Sequence, residues 1–273
     1  MAGRVQGKTV LISGAARGQG RSHAVRLAAE GAGIVAFDIC RQIESVAYPM
    51  STPEDLAETV RLVDEQGGKI VARQADVRDP EAVARVVAEG IEAFGHIDCV
   101  LANAGIMPFF PPMGDTQQAY QDCVDVMLTG VYNTLRAAVP SMIGHGTGGS
   151  IVITSSIAGL KPRTDWAAGS LGYTVAKAGV IGLMRLTALR LGQYSIRCNT
   201  VHPTGVRTGM VDNEPFRQWT RDAHEYTSQM RNALPVEIME PADVSNLMVF
   251  LCSDESRYLT GETISIDAGY QLT

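Results

Sequence analysis

The sequence predicts an α/β fold: a doubly wound, seven-stranded parallel sheet with helices on both faces. Three observations carry this. Short apolar runs alternate with longer amphipathic stretches along the chain. Near the N-terminus a strand-like run passes through a glycine-rich turn directly into helical spacing. No internal repeat or low-complexity segment interrupts the alternation. Parallel strands need crossover connections, and right-handed crossovers carry helices to both faces of the sheet.

The candidate strands are 8–13, 33–38, 69–75, 97–102, 149–155, 195–201 and 262–267. The candidate helices are 18–31, 54–67, 80–94, 115–144, 171–192 and 241–252. Lys8 to Ser13 and Ile34 to Asp38 are short apolar runs, the pattern of strands buried on both faces. Arg21 to Gly31 has helical spacing, with Val25, Leu27, Ala28 and Ala29 as core candidates. Thr52-Pro53 reads as an N-cap followed by proline at the first helical position.

Two connections are longer than a compact crossover needs, Cys40 to Pro53 and Gly205 to Glu240. Loops of that length in compact domains are commonly functional. The second contains Met210, Phe216, Trp219, Tyr226, Met230 and Met239, in a chain with only 6% aromatic residues. That concentration suggests a partly helical lid closing over an apolar substrate. The 273 residues fit one large domain over 1–273, with a cofactor-side insertion near 40–53 and a substrate lid near 205–240.

The formal net charge is −6 and basic residues do not cluster, which argues against a nucleic-acid partner. Five cysteines (40, 99, 123, 198 and 252) are scattered, with no CxxC pair. Neither a disulfide scaffold nor a metal site is indicated, and the usage fits a reducing cytoplasm. No basic-then-apolar leader and no apolar run of about 18 residues is present, so a soluble cytoplasmic protein with no membrane partner is expected.

Tyr173-Thr174-Val175-Ala176-Lys177 places a phenol and an ammonium four residues apart. On a helix they share a face, about 40° apart around the axis. A free tyrosine, with a pKa near about 10, is a poor base at neutral pH. A lysine one turn away stabilises the phenolate and brings it into working range. At the other end of the chain, Gly14-Ala15-Ala16-Arg17-Gly18-Gln19-Gly20 follows a strand and opens a helix, the context a dinucleotide site requires. The helix N-terminus offers unpaired N–H groups to a pyrophosphate. Asp38 ends the second strand, placed to bind a ribose 2′-hydroxyl and to repel a 2′-phosphate, which favours NAD over NADP. Arg17 and Arg41 are the nearby cations that oppose this preference.

Together these motifs resemble the short-chain dehydrogenase/reductase family over essentially the full chain, which implies a Rossmann fold. Ser13-Gly14 to Gly20 is similar to its TGxxxGxG motif, with Ser13 for threonine. The resemblance assigns cofactor contacts to Gly14, Ala16, Arg17, Gly18, Gln19 and Gly20, to Asp38 and Ile39, and to Asp76 and Val77. It adds Asn103-Ala104-Gly105, similar to NNAG, and Pro203, Val206 and Thr208 in the segment after strand six. It implies that Ser156 stabilises the reacting oxygen, that Tyr173 is the acid/base, and that Lys177 also binds the nicotinamide ribose. Asp38-Ile39-Cys40 and the stretch from Arg41 to Pro53 further resemble the carveol-dehydrogenase-like, mycofactocin-associated branch. That branch implies tightly held NAD, a hydrophobic alcohol or ketone substrate of cyclic or terpenoid type, and an external redox partner where NAD does not exchange. A homotetramer packed through helices 115–144 and 171–192 is a further implication of the family.

Two further departures from the family bear on the chemistry. Ser156 and Tyr173 lie farther apart than usual, the extra residues falling in Lys161 to Gly172, a loop able to absorb them. Trp166 in that loop is a candidate either for the pocket wall or for a surface loop contact. Met127 stands where the family has an asparagine that holds a water linking the lysine to solvent. A thioether donates no hydrogen bond and accepts only weakly. Asn133 cannot take over, because six residues along a helix is about 240° of rotation. The alternative function is therefore an NAD-binding protein with weak or no turnover.

Overall fold

The computed structural model describes residues 3–162, 165–227 and 230–273. Seven strands form one parallel sheet: β1 (Thr9–Ser13), β2 (Gly33–Asp38), β3 (Lys69–Gln74), β4 (Cys99–Ala102), β5 (Gly149–Thr154), β6 (Ile196–Pro203) and β7 (Thr263–Ile266). Their order is β3-β2-β1-β4-β5-β6-β7, so the winding reverses between β1 and β4. A reversal of this kind opens a crevice beyond the carboxyl ends of the strands. β1 and β4 are buried throughout, as central strands covered on both faces must be.

The helices are α1 (Gly18–Ala29), α2 (Pro53–Glu65), α3 (Pro80–Phe94), α4 (Gln117–Val124), α5 (Gly130–His145), α6 (Ala168–Leu191), α7 (Glu214–Asp222), α8 (His224–Thr227) and α9 (Pro241–Cys252). On one face, Leu27 of α1, Val63 of α2 and Val244 of α9 share a core with Val10 and Ile34. On the other, Val83 of α3, Leu135 of α5 and Val180 of α6 pack with Leu11, Val100 and Ile151. The expected N-cap holds: the Thr52 hydroxyl accepts from Asp55 N–H while the Asp55 carboxylate accepts from Thr52 N–H, and Pro53 opens α2.

The stretch expected as one helix over 115–144 is divided. A π-helical turn, Asp125–Thr129, joins α4 to α5 and contains Met127. Single π turns inside α-helices recur at functional sites. Helix α6 starts before residue 171, inside the expected loop. The stretch 205–240 is partly helical, through α7 and α8. Beside the base of β1, away from the crevice, His96 and His145 stack with ring centroids 3.5 Å apart and His96 hydrogen-bonds Asp98 at 3.1 Å. Among the described residues no helix is long and apolar enough to cross a membrane.

Candidate functional site

A cleft with about 880 Å³ of free space lies over the carboxyl ends of β1 to β4. The glycine turn is its floor. Gly14 has φ +68°, and a Cβ there would sit 2.8 Å from the Ala104 Cα. A Cβ at Gly20 would sit 2.0 Å from the Gly14 carbonyl oxygen. The turn can therefore press against both the NAG segment and the start of α1 only as glycine. The Ser13 hydroxyl accepts from the N–H groups of Asn103 (3.0 Å) and Ala104 (3.1 Å), the bonds a threonine would make. The Asn103 amide donates to the carbonyls of Ser13 and Gly14. Arg17 N-caps α1 without a side-chain capping bond, so its first N–H groups keep no side-chain partner.

Of the expected cofactor contacts, Gly14, Arg17, Gly18, Gln19, Gly20, Asp38, Ile39, Asp76, Val77, Asn103, Ala104, Gly105 and Thr208 line this cleft together. Ala16 lies behind it, donating its N–H to Asp38 at 3.0 Å. Pro203 and Val206 are outside the lining, and Val206 packs in the core near Met239 and Val244. Asp38 also accepts from the Ser51 hydroxyl at 2.6 Å and from Cys40 N–H at 3.2 Å. Arg41, the cation expected to weaken the effect of Asp38, instead pairs with Asp76 at 3.0 Å. Burial works to raise the Asp76 carboxyl, but hydrogen bonds from Arg78 and Arg41 outweigh it and hold the group below its ordinary value.

The insertion near 40–53 folds over the cleft. Gln42 organises it: its amide donates to the carbonyls of Ile43, Val46 and Tyr48 and accepts from Met50 N–H. Ser45 donates to the buried Asp122 at 2.7 Å, and the Tyr48 hydroxyl accepts from Met107 N–H at 3.1 Å. Ile43, Tyr48, Met50 and Ser51 then line the cleft. Sequence alone gave the length of this insertion and not its internal hub.

Ser156, Tyr173 and Lys177 come together beside the cleft. The Ser156 hydroxyl lies near enough to the Tyr173 phenol to favour its ionised form. The Lys177 ammonium is buried, lies 5.7 Å from the Tyr173 ring centroid, and donates to the Thr154 carbonyl at 2.7 Å. Ser155, the neighbouring serine, points into the interior and donates to the Lys177 carbonyl at 2.7 Å, leaving Ser156 to face the site. Burial lowers the Lys177 ammonium to about 8. The expected depression of Tyr173 is not found here. Burial raises the phenol, and the Ser156 hydroxyl offsets this only in part. Burial is the larger influence, and the Lys177 ammonium is directed to a main-chain carbonyl.

Met127 is buried, and a Cβ added to Gly105 would lie 3.5 Å from its sulfur and 3.7 Å from the Lys177 nitrogen. It therefore occupies the corner beside Lys177 where the family's asparagine was expected. Asn133 is committed elsewhere, donating to the Val77 carbonyl at 2.9 Å.

Above Tyr173 is an aromatic roof. Phe109 meets the tyrosine edge-on at 5.2 Å between centroids and contacts Trp219 at 5.7 Å. Phe110 and Phe216 complete the cluster around Trp219. The Trp219 indole N–H donates to Asp165 at 3.1 Å, tying α7 to the loop before α6. Phe109 and Phe110 were missed from sequence; the only signal was the apolar run that follows Gly105. Met239 anchors the lid on the core, whereas Trp166 is 77% exposed instead of lining a pocket. The Tyr226 side chain lies outside the described residues.

Residues 14–271 match the family model described as enoyl-(acyl carrier protein) reductase. The chain belongs to the short-chain dehydrogenase/reductase family. It is 51% identical to an uncharacterized oxidoreductase, MT2820, of Mycobacterium tuberculosis, over 97% of each chain. It is 41% identical to (-)-trans-carveol dehydrogenase of Rhodococcus erythropolis, over 98% of this chain and 99% of the other. Among solved structures it is similar to carveol dehydrogenase from Mycobacterium avium in complex with NAD. The TM-score is 0.93 at 48% identity, covering 99% of this chain and all of that one.

Proposed function

We propose that this protein is a single-domain, NAD-dependent oxidoreductase interconverting a hydrophobic secondary alcohol, of cyclic or terpenoid type, and its ketone. The observation that carries the reading is the Ser156–Tyr173–Lys177 group set beside a glycine-floored cleft and under an aromatic roof. The cleft fits a dinucleotide: its floor leaves no room for a Cβ at Gly14 or Gly20, and α1 presents its first turn toward it. When bound, the nicotinamide supplies the hydride acceptor. Tyr173 takes the alcohol proton as the carbon gives up hydride. Ser156 hydrogen-bonds the reacting oxygen, and Lys177, in the role the family resemblance gives it, hydrogen-bonds the nicotinamide ribose. The roof excludes water and offers apolar surface to the rest of the substrate.

Asp38 supports NAD over NADP, because its carboxylate is buried and hydrogen-bonded where a 2′-phosphate would have to approach. The NAD-bound structure and the relative named (-)-trans-carveol dehydrogenase support the same choices of cofactor and substrate. The insertion over the cleft supports slow cofactor exchange and hence an external redox partner in the cytoplasm. Tyr132, Leu186 and Leu189, exposed on α5 and α6, support a homotetramer packed through these helices.

The test is single-turnover oxidation of cyclic and terpenoid secondary alcohols, followed by NADH absorbance, in wild type and Tyr173→Phe. A wild-type rise reduced about 10²- to 10⁴-fold in the variant is expected, with a lower kcat/KM for NADP than for NAD. No rise with any alcohol, in protein that binds NAD, would favour the NAD-binding reading that Met127 raises. Equal rates in the two proteins would remove Tyr173 from the mechanism.

A further inference from the structure

We propose that His202 is a positioning residue for the reaction: its imidazole clamps the main-chain carbonyl of Ser156 and so aims the serine hydroxyl at the reacting oxygen. The inference rests on the dehydrogenase reading of Ser156 and Tyr173.

Ser156 lies just beyond the end of β5, where the sheet stops supporting the chain. The last rung is Ser155 N–H to the Val201 carbonyl at 2.9 Å. In a parallel ladder the next rung from β6 would be donated by residue 203, which is proline and has no N–H. A side chain makes the connection from β6 instead. His202 Nδ1 lies 2.9 Å from the Ser156 carbonyl oxygen, and its Nε2 lies 2.8 Å from the Thr200 hydroxyl. The imidazole is fully buried.

The direction of these bonds follows from chemistry. A carbonyl only accepts, so Nδ1 carries a hydrogen. In the neutral ring Nε2 then holds a lone pair, and the Thr200 hydroxyl donates to it at 2.8 Å in preference to the Glu262 carbonyl at 3.4 Å. Burial favours the neutral ring; the Ser156 carbonyl opposes this in part, and the nearby Lys177 charge reinforces it. Gly159 N–H also donates to the Ser156 carbonyl, at 3.0 Å, so both of its lone pairs are used. The serine hydroxyl accepts from Ala158 N–H at 3.2 Å and keeps its single hydrogen to donate to the reacting oxygen. The backbone of Ser156 is thus held from two sides while its hydroxyl hydrogen remains available.

The experiment is steady-state kinetics on the full chain with NAD and an alcohol substrate, for His202→Leu, His202→Asn and His202→Gln, each also in a Ser156→Ala background. An asparagine amide sits near the position of Nδ1 and retains the donor, whereas a glutamine amide reaches toward Nε2. We expect kcat to fall about 10- to 100-fold in the Leu and Gln variants, with KM for NAD unchanged and most of the rate retained in the Asn variant. In the Ser156→Ala background the three should be alike. Equal rates for the Asn and Gln variants would overturn the proposal. So would an undiminished loss in the Ser156→Ala background, which would mark a packing role. If Ser156→Ala alone costs nothing, the catalytic reading of Ser156 fails; if it costs rate and the Gln variant does not, only the clamp fails.

Discussion

The floor and the roof of the candidate site are held by different kinds of bond. Beneath, Lys177 reaches the Thr154 carbonyl, Ser155 the Lys177 carbonyl, and His202 the Ser156 carbonyl. Above, Phe109, Phe110, Phe216 and Trp219 lean on one another, with the Trp219–Asp165 hydrogen bond tying α7 to its neighbouring loop. Main-chain acceptors stay in place whatever the side chains around them become. Aromatic contacts change shape with every substitution. A site divided in this way can keep its chemistry constant while its substrate pocket varies.

The largest effect that would sharpen the contrast is expected from Trp219→Ala. Removing a buried indole typically costs about 3–5 kcal/mol. We expect a lower Tm and a KM for hydrophobic alcohols raised about tenfold or more, with kcat changed less. A fall in kcat at constant KM would break the distinction between floor and roof.

A smaller effect concerns Lys177. Its ammonium is lowered to about 8 in the folded protein, from an ordinary value of 10.5. Between those values the unfolded chain holds the proton and the folded one releases it, so stability rises with pH. Below the lower value both states are protonated and the slope vanishes. Tyr173, whose phenol is raised, acts in the opposite sense only above its ordinary value of 10.0. Thermal unfolding between pH 7 and 10 should show a rise in wild type relative to Lys177→Met, and parallel curves would mean that the lysine is not desolvated as described.

The smallest effect is expected from Met127→Asn. The Thr154 carbonyl already partners Lys177, so restoring an amide beside it should raise turnover a few-fold or broaden the pH–rate profile. Identical rates and profiles would show that the thioether costs the floor nothing.

Much of the floor was legible because it is local. Tyr173 and Lys177 lie one helical turn apart, and the glycine turn sits between its own strand and helix. Strands such as β1, β2 and β5 were legible for the same reason, since each is a short, mostly apolar run. The remainder depends on residues that meet only in the folded chain. Phe109 and Trp219 meet across a long stretch of sequence, as do Ser156 and His202. The π turn at Met127 leaves no mark in apolar spacing, so 115–144 looked like one uninterrupted helix. Lys177 appeared able to lower the Tyr173 pKa because spacing along a helix reports proximity, not which acceptor wins the proton.

The two tryptophans have a practical consequence. Trp166 is 77% exposed and Trp219 is 6% exposed, and these are the only indoles in the chain. A water-soluble quencher will silence the first and spare the second. The remaining emission then comes from a single point on α7, packed on the aromatic ring that covers Tyr173. Every opening of that roof changes the environment of one indole, so the protein carries its own optical gauge of access to the site, readable without a label.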